Sequence, residues 1–196
     1  MRTLLLTGAT GGLGQEVVAR LSRDYRCIAL VRSAGKSLPI ETITDLDQLT
    51  EPVYGVILLA GAFEMGSSVE DFAKMIDANL LSAVRVIEPM RSRIEDGGRI
   101  IAISSAAALT KPARMAAYVA SKAALNGYIE SLARELQPRR ITVNGLLPTA
   151  LATPAMRQSM SHIGLVPLDR VSETIAFLLR DEAQAVTGQL IVLTAG

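Results

Sequence analysis

The feature that most constrains the fold is a series of short, uninterrupted apolar runs set between segments of helical periodicity. Leu4–Thr7, Arg26–Arg32, Ile40–Ile43, Val53–Leu59, Arg99–Ser104, Ile141–Leu146 and Gln189–Leu193 read as strands. A strand that is apolar on both faces must be covered on both faces, which is the condition of a parallel sheet. Helical patterns lie between most of them: Gln15–Ser22, Val69–Ile94 interrupted near Pro89, Ala113–Leu136 closed by Pro138, and Val171–Leu179. The alternation predicts an α/β fold, a doubly wound parallel sheet of about seven strands in three α/β/α layers. The 196 residues predict a single domain over 1–196.

One stretch breaks the alternation. Only Ser33–Pro39 separate the second and third strands. A parallel crossover needs roughly 10–12 residues. Either the crossover helix is missing or the third strand is not a parallel neighbour. Thr44–Thr50 has room for at most about two helical turns. The segment between the second and fourth strands is therefore shortened, and the sheet edge there is expected to be pared down.

Composition narrows the chemistry. The 20 Lys and Arg against 19 Asp and Glu give a net charge of +1, which argues against a polyanion binder and hence against nucleic acid. The single cysteine, Cys27, excludes a disulfide framework and a Cys-based zinc site. The single histidine, His162, excludes a multi-His metal site and most His-based triads. Hydroxyls, phenols, lysines and carboxylates are left. No run approaches the ~18 apolar residues of a membrane span. The apolar run at the N-terminus is also far short of the ~7–15 residues of a signal peptide. With no disulfides, the expected location is the cytoplasm.

Two motifs sit where chemistry would be expected. Thr7-Gly8-Ala9-Thr10-Gly11-Gly12-Leu13-Gly14 joins the first strand to the first helix. In that place a dinucleotide pyrophosphate meets a helix N-terminus, and glycines let the backbone turn and approach it. Strand, loop and helix in this order favour a Rossmann-type nucleotide site over a plain turn. Tyr118 and Lys122 are four residues apart on the Ala-rich helix, so they share a face. A nearby cation lowers a phenol pKa and suits it to acid–base work. Alone, such a pair is common on helix surfaces. Ser105, thirteen residues before Tyr118, ends the fifth strand, where the carboxyl ends of parallel strands line a ligand crevice.

With these residues the chain resembles the short-chain dehydrogenase/reductase family over almost its whole length. Gly8, Gly12 and Gly14 match its Thr-Gly-x-x-x-Gly-x-Gly, Ala60-Gly61 the end of its Asn-Asn-Ala-Gly, and Asn79 its structural and catalytic Asn. Ser105, Tyr118 and Lys122 match its catalytic set. Asn144 through Pro148 resembles Val-Asn-x-x-x-Pro-Gly, Thr153-Pro154 the following Thr-Pro, and Thr187-Gly188-Gln189 the Thr-Gly-Gln before the last strand. Leu58-Leu59 replaces the Asn pair, and Thr149 replaces the glycine after Pro148.

The resemblance implies an NAD(P)-dependent oxidoreductase acting on a small carbonyl or alcohol. Tyr118 is the general acid/base. Lys122 lowers its pKa and binds ribose, Ser105 stabilises the oxyanion, and Asn79 supports the proton relay. The implied cofactor contacts are Gly8, Thr10, Gly11, Gly12, Leu13, Gly14, Arg32, Ser33, Asp45, Leu46, Ala60, Gly61, Tyr118, Lys122, Pro148, Thr149, Leu151 and Thr153. Arg32 stands where NAD-type members carry Asp, so NADP(H) is expected over NAD(H). A substrate lid over about 149–170 carries Met156, Met160, Ile163, Leu165 and Val166. With Phe63, Met65 and Leu109 it points to an apolar substrate, or else packs as ordinary core. His162 is a substrate contact or a surface residue. The two long helices imply a homodimer or homotetramer. Two alternatives stay open: an NADP(H)-binding sensor with little or no turnover, and a dihydropteridine-type reductase.

Overall fold

The structure is a computed structural model and describes residues 1–33, 38–159 and 164–195. The strands are β1 (Thr3–Thr7), β2 (Arg26–Leu30), β3 (Glu41–Ile43), β4 (Val53–Leu58), β5 (Ile94–Ile103), β6 (Thr142–Pro148) and β7 (Leu190–Leu193). They form one sheet in the order β3-β2-β1-β4-β5-β6-β7, with every neighbouring pair parallel. The helices are α1 (Gly12–Leu21), α2 (Val69–Ile76), α3 (Ser82–Met90), α4 (Ala107–Thr110), α5 (Ala116–Glu135), α6 (Pro154–Ser159) and α7 (Leu168–Leu178). Strand side chains alternate between faces. Leu4 and Leu6 therefore join Val17, Leu21 and Ile175 under α1 and α7, while Leu5 joins Ile87, Leu125 and Ile129 under α3 and α5.

The question left open about the third strand is settled: β3 is a parallel neighbour, with Ile28 opposite Glu41 and Leu30 opposite Ile43. The described part of the β2–β3 connection contains no helix. The β3–β4 connection keeps only a single 3₁₀ turn, Leu46–Gln48. Its cap is complete: Asp47 N–H donates to Asp45 Oδ1 at 2.9 Å, and the backbone N–H groups of Thr44 and Asp45 donate to Gln48 Oε1. The order of the sheet is thus preserved, and among the described residues no α-helix covers this edge between β2 and β4.

Element boundaries differ from expectation for local reasons. Helix α1 starts three residues early, because its first turn is built from the glycine loop itself. Helix α5 starts at Ala116, because Lys111 (φ 50°) and Arg114 (φ 67°) hold the preceding loop in left-handed conformations. Pro89 does not interrupt its helix, since it falls one residue before the end of α3. The interruption lies instead at a π-helical turn, Asp77–Leu81, between α2 and α3. The arginines at helix ends are not merely solvated. Arg139 binds Asp96 and the carbonyls of Arg91 and Ile94, Arg91 pairs with Glu88 and Glu135, and Arg93 donates to Leu46 O.

Candidate active site and dinucleotide cleft

A cleft of about 630 Å³ opens at the carboxyl ends of β1, β2 and β4. Gly8, Thr10 and Gly11 form its floor, Arg32 and Ser33 one side, and Ala60 and Gly61 another. Gly8 has φ +68°, and a Cβ there would lie 2.6 Å from Ala60 N, so only glycine fits. A Cβ on Gly14 would stand 2.2 Å from Gly8 O, so this glycine lets α1 close onto the loop. Gly11 caps α1 and brings no side chain to its first N–H groups. Those donors face an anion without competition, which fits a pyrophosphate. Thr153 and Pro154 reach the same loop: a Cβ on Gly12 would meet both at 3.7 Å.

The polar residues expected to act on substrate gather beyond Gly61. Asn79 sits in the π turn, a geometry that re-aims one residue of a helix and recurs at functional sites. Its Oδ1 accepts from Ala62 N–H at 2.9 Å, and its Nδ2 donates to Ala62 O and Ser121 Oγ, each at 3.0 Å. Ser121 in turn donates to Tyr118 O at 2.7 Å. Lys122 donates to Ile103 O at 2.9 Å. Gly61 lies between Asn79 and Lys122, for a Cβ on it would come within 2.8 Å of Asn79 Oδ1 and 3.3 Å of Lys122 Nζ. Ser105 Oγ accepts from Ala107 N–H at 3.2 Å, and Ala106 N–H ties this loop to Pro148 O at 3.1 Å. Phe63 stands edge-on to Tyr118 with ring centroids 5.0 Å apart. Met65 and Leu109 are exposed apolar side chains. The loop carrying Met65 rests on the start of α5 through Ala117 N–H to Gly66 O.

The electrostatics correct one expectation. Burial raises the Tyr118 phenol above its ordinary pKa, and only the Ser105 hydroxyl pulls it down. The Lys122 ammonium is directed onto the Ile103 carbonyl, and the net shift of the phenol is upward. Burial lowers Lys122 itself to about 8. The phenol is thus held as a proton donor at neutral pH, and the lysine is a buried cation close to losing its charge.

Other expected residues are placed differently. Asp45 and Leu46 do not line the cleft; the Asp45 carboxylate caps the 3₁₀ turn. Thr149 is exposed and bonded through its N–H to Leu193 O, and Leu151 bridges Val166. Val166 is fully packed core, so that part of the lid segment is structural. Thr153 Oγ1 accepts from Met156 N–H at the start of α6. Met160, His162 and Ile163 lie outside the described residues. Leu59 lines the cleft where the family pattern has Asn. Sequence reasoning missed Ala62 and the wall made by Asp77, Ala78, Ser82, Arg85 and Val86. The signal was available: Ala78, Ser82, Arg85 and Val86 recur at helical spacing directly around Asn79. Among the described residues, no cluster of His, Cys, Asp or Glu could hold a metal, and no helix is long and apolar enough to cross a membrane.

Residues 54–196 match the family described as enoyl-(acyl carrier protein) reductase. The 3-oxoacyl-[acyl-carrier-protein] reductase MabA of Mycobacterium bovis is 28% identical over 228 residues, covering 100% of this chain and 92% of its own. The solved structure of 4-hydroxyisoleucine dehydrogenase with NADH is 25% identical, with a TM-score of 0.86 over 100% of this chain and 98% of that one. A short chain dehydrogenase family protein from Francisella tularensis shares the fold, with a TM-score of 0.87 at 23% identity over 98% and 97% of the two chains.

Proposed function

The chain belongs to the short-chain dehydrogenase/reductase family, and from that premise we propose that it transfers hydride between NADP(H) and the carbonyl or alcohol carbon of a small, largely apolar substrate. The observation that carries this reading is the place of Gly61. It lines the cleft together with the glycine loop, and a Cβ on it would come within 2.8 Å of Asn79 Oδ1 and 3.3 Å of Lys122 Nζ.

The nicotinamide, when bound, supplies or takes up the hydride. The glycine loop and the N-terminus of α1 would hold the pyrophosphate, Arg32 and Ser33 the adenosine side, and Lys122 the nicotinamide ribose. Thr153 and the Pro148–Leu151 segment would border the nicotinamide, at the base of a lid over about 149–170.

Tyr118 gives its proton to the substrate oxygen as negative charge develops there. Its raised pKa keeps it protonated for that task. Ser105 donates to the same oxygen, so charge forms against a positioned dipole instead of reorganising water. Asn79, fixed by three hydrogen bonds to Ala62 and Ser121, holds the end of the relay that returns a proton to Tyr118. Phe63 and Met65 offer apolar surface beside the phenol. The names of the curated relatives make a 3-oxoacyl thioester the first substrate to try.

NADP(H) is favoured because Arg32 lines the cleft at the end of β2 with no ion pair among the described residues. Titration with NADPH and NADH, followed by nicotinamide emission, tests this directly, since the chain has no Trp. NADPH is expected to bind at least about tenfold more tightly, and Arg32→Gln to remove the difference. Equal binding of both cofactors by the unaltered chain would contradict the assignment.

A further inference from the structure

The trimmed sheet edge leaves the adenosine end of the cleft with an unusual wall, and the geometry points to Arg85 as a second reader of a phosphate on the adenosine ribose. This rests on the dinucleotide reading above. The cleft is lined after β2 by Arg32 and Ser33, and along the π turn and α3 by Asp77, Ser82 and Arg85. Two guanidinium groups therefore line a single cavity. A phosphate monoester carries about −1.5 to −2 charges at pH 7, more than one guanidinium balances. Arg85 is held by Asp77 at 2.7 Å, with both side chains largely exposed, at 62% and 58%. Exposed ion pairs contribute little, so Arg85 can leave Asp77 for a charge-assisted phosphate contact at small cost. The arm is long enough to turn, because Arg85 sits on the cleft-side stripe of α3 and has no second ion-pair partner among the described residues. Asp77 then acts as the competitor: it parks Arg85 when the ribose carries a hydroxyl and opposes an anion in its own right.

Dissociation constants for NADPH and NADH, measured on Arg85→Gln, Asp77→Asn and the double variant with Arg32→Gln as reference, test this. Arg85→Gln is expected to weaken NADPH about tenfold and leave NADH within about twofold, and Asp77→Asn to tighten NADPH. The double variant is expected to keep most of the loss, because the guanidinium itself is missing. Full recovery of NADPH affinity in the double variant would mean that Arg85 only masks Asp77, and would overturn the proposal. So would equal effects of Arg85→Gln on both cofactors, or no effect on either. If Arg32→Gln abolishes NADPH preference and Arg85→Gln does not, this proposal falls and the dinucleotide reading stands. If the unaltered chain binds NADH as tightly as NADPH or more tightly, this proposal and the NADP(H) assignment fall while the dinucleotide reading stands; if it binds neither, the dinucleotide reading falls as well. Arg85 is exposed, and melting curves of the two single variants separate a folding defect from a lost contact.

Discussion

Lys122 shows most directly how placement sets chemistry. Its stem crosses buried space and its ammonium meets a backbone carbonyl, so desolvation dominates and the amine falls from 10.5 to about 8. The ammonium is present below that value and is lost as pH rises through it. If it holds the cofactor ribose, kcat/KM for the cofactor, which reports the free enzyme, decreases as pH rises through about 8. In Lys122→Met that inflection is expected to disappear, and an unchanged inflection would assign it to another group. Stability follows the opposite course. The unfolded chain holds this proton more tightly than the folded one, so the Lys122 contribution to stability grows between about 8 and 10.5. Tyr118 was legible as an acid/base candidate from its spacing to Lys122 together with Ser105, but the direction of its shift was not. Spacing gives proximity, whereas the sign of a pKa shift depends on burial and on where the lysine points.

At the scale of elements, most strands were legible because their residues are apolar on both faces, and the core confirms it for β1, β2, β4, β5 and β6, whereas β3 exposes Glu41 and Thr42 and buries only Ile43. The π turn was not legible. Ile76 to Ser82 carries ordinary helical periodicity, and nothing in it announces an extra residue in the turn. The closure of β5 against α7 was also hidden. Arg99 is fully buried, yet it reads on the sequence as a polar strand start. Its guanidinium donates to Leu178 O at 3.1 Å, Arg180 O at 3.0 Å and Gln184 Oε1 at 2.8 Å, and it stands 5.4 Å from the Tyr54 ring centroid. A cation thus closes the C-terminal end of α7, where the carbonyls have no helical partner. Replacing Arg99 by Met leaves the buried Leu178 carbonyl without this donor and strips one from the part-buried Arg180 carbonyl contact. The expected cost is about 3 kcal/mol, a fall in Tm of roughly 6–12 °C, with cofactor affinity unchanged. A melting curve within about 2 °C of the parent would show that water replaces the guanidinium.

Across the whole molecule, one edge is economised and the opposite end is kept. The sheet order survives with a third strand of only Glu41–Ile43, and among the described residues the connections on either side of it hold one 3₁₀ turn and no α-helix. That loss was visible as a residue count, since seven residues cannot form a covered crossover. Its consequence was not visible: the cleft is walled on one side by the π turn and α3, while Asp45 is committed to a cap. The half of the molecule that carries Asn79, Ser105, Tyr118 and Lys122 lies along the sheet order from the shortened edge and buries Asn79, Ser105 and Lys122. The central claim is that this half performs acid-assisted hydride transfer. It is tested most directly by comparing the unaltered chain with Tyr118→Phe in the rate of NADPH oxidation by a 3-oxoacyl thioester and a panel of apolar ketones. Nicotinamide emission monitors binding in the same samples. The account predicts that turnover falls by roughly 10²–10⁴-fold while NADPH binding changes by less than about twofold. Turnover that survives the loss of the phenol oxygen would contradict it.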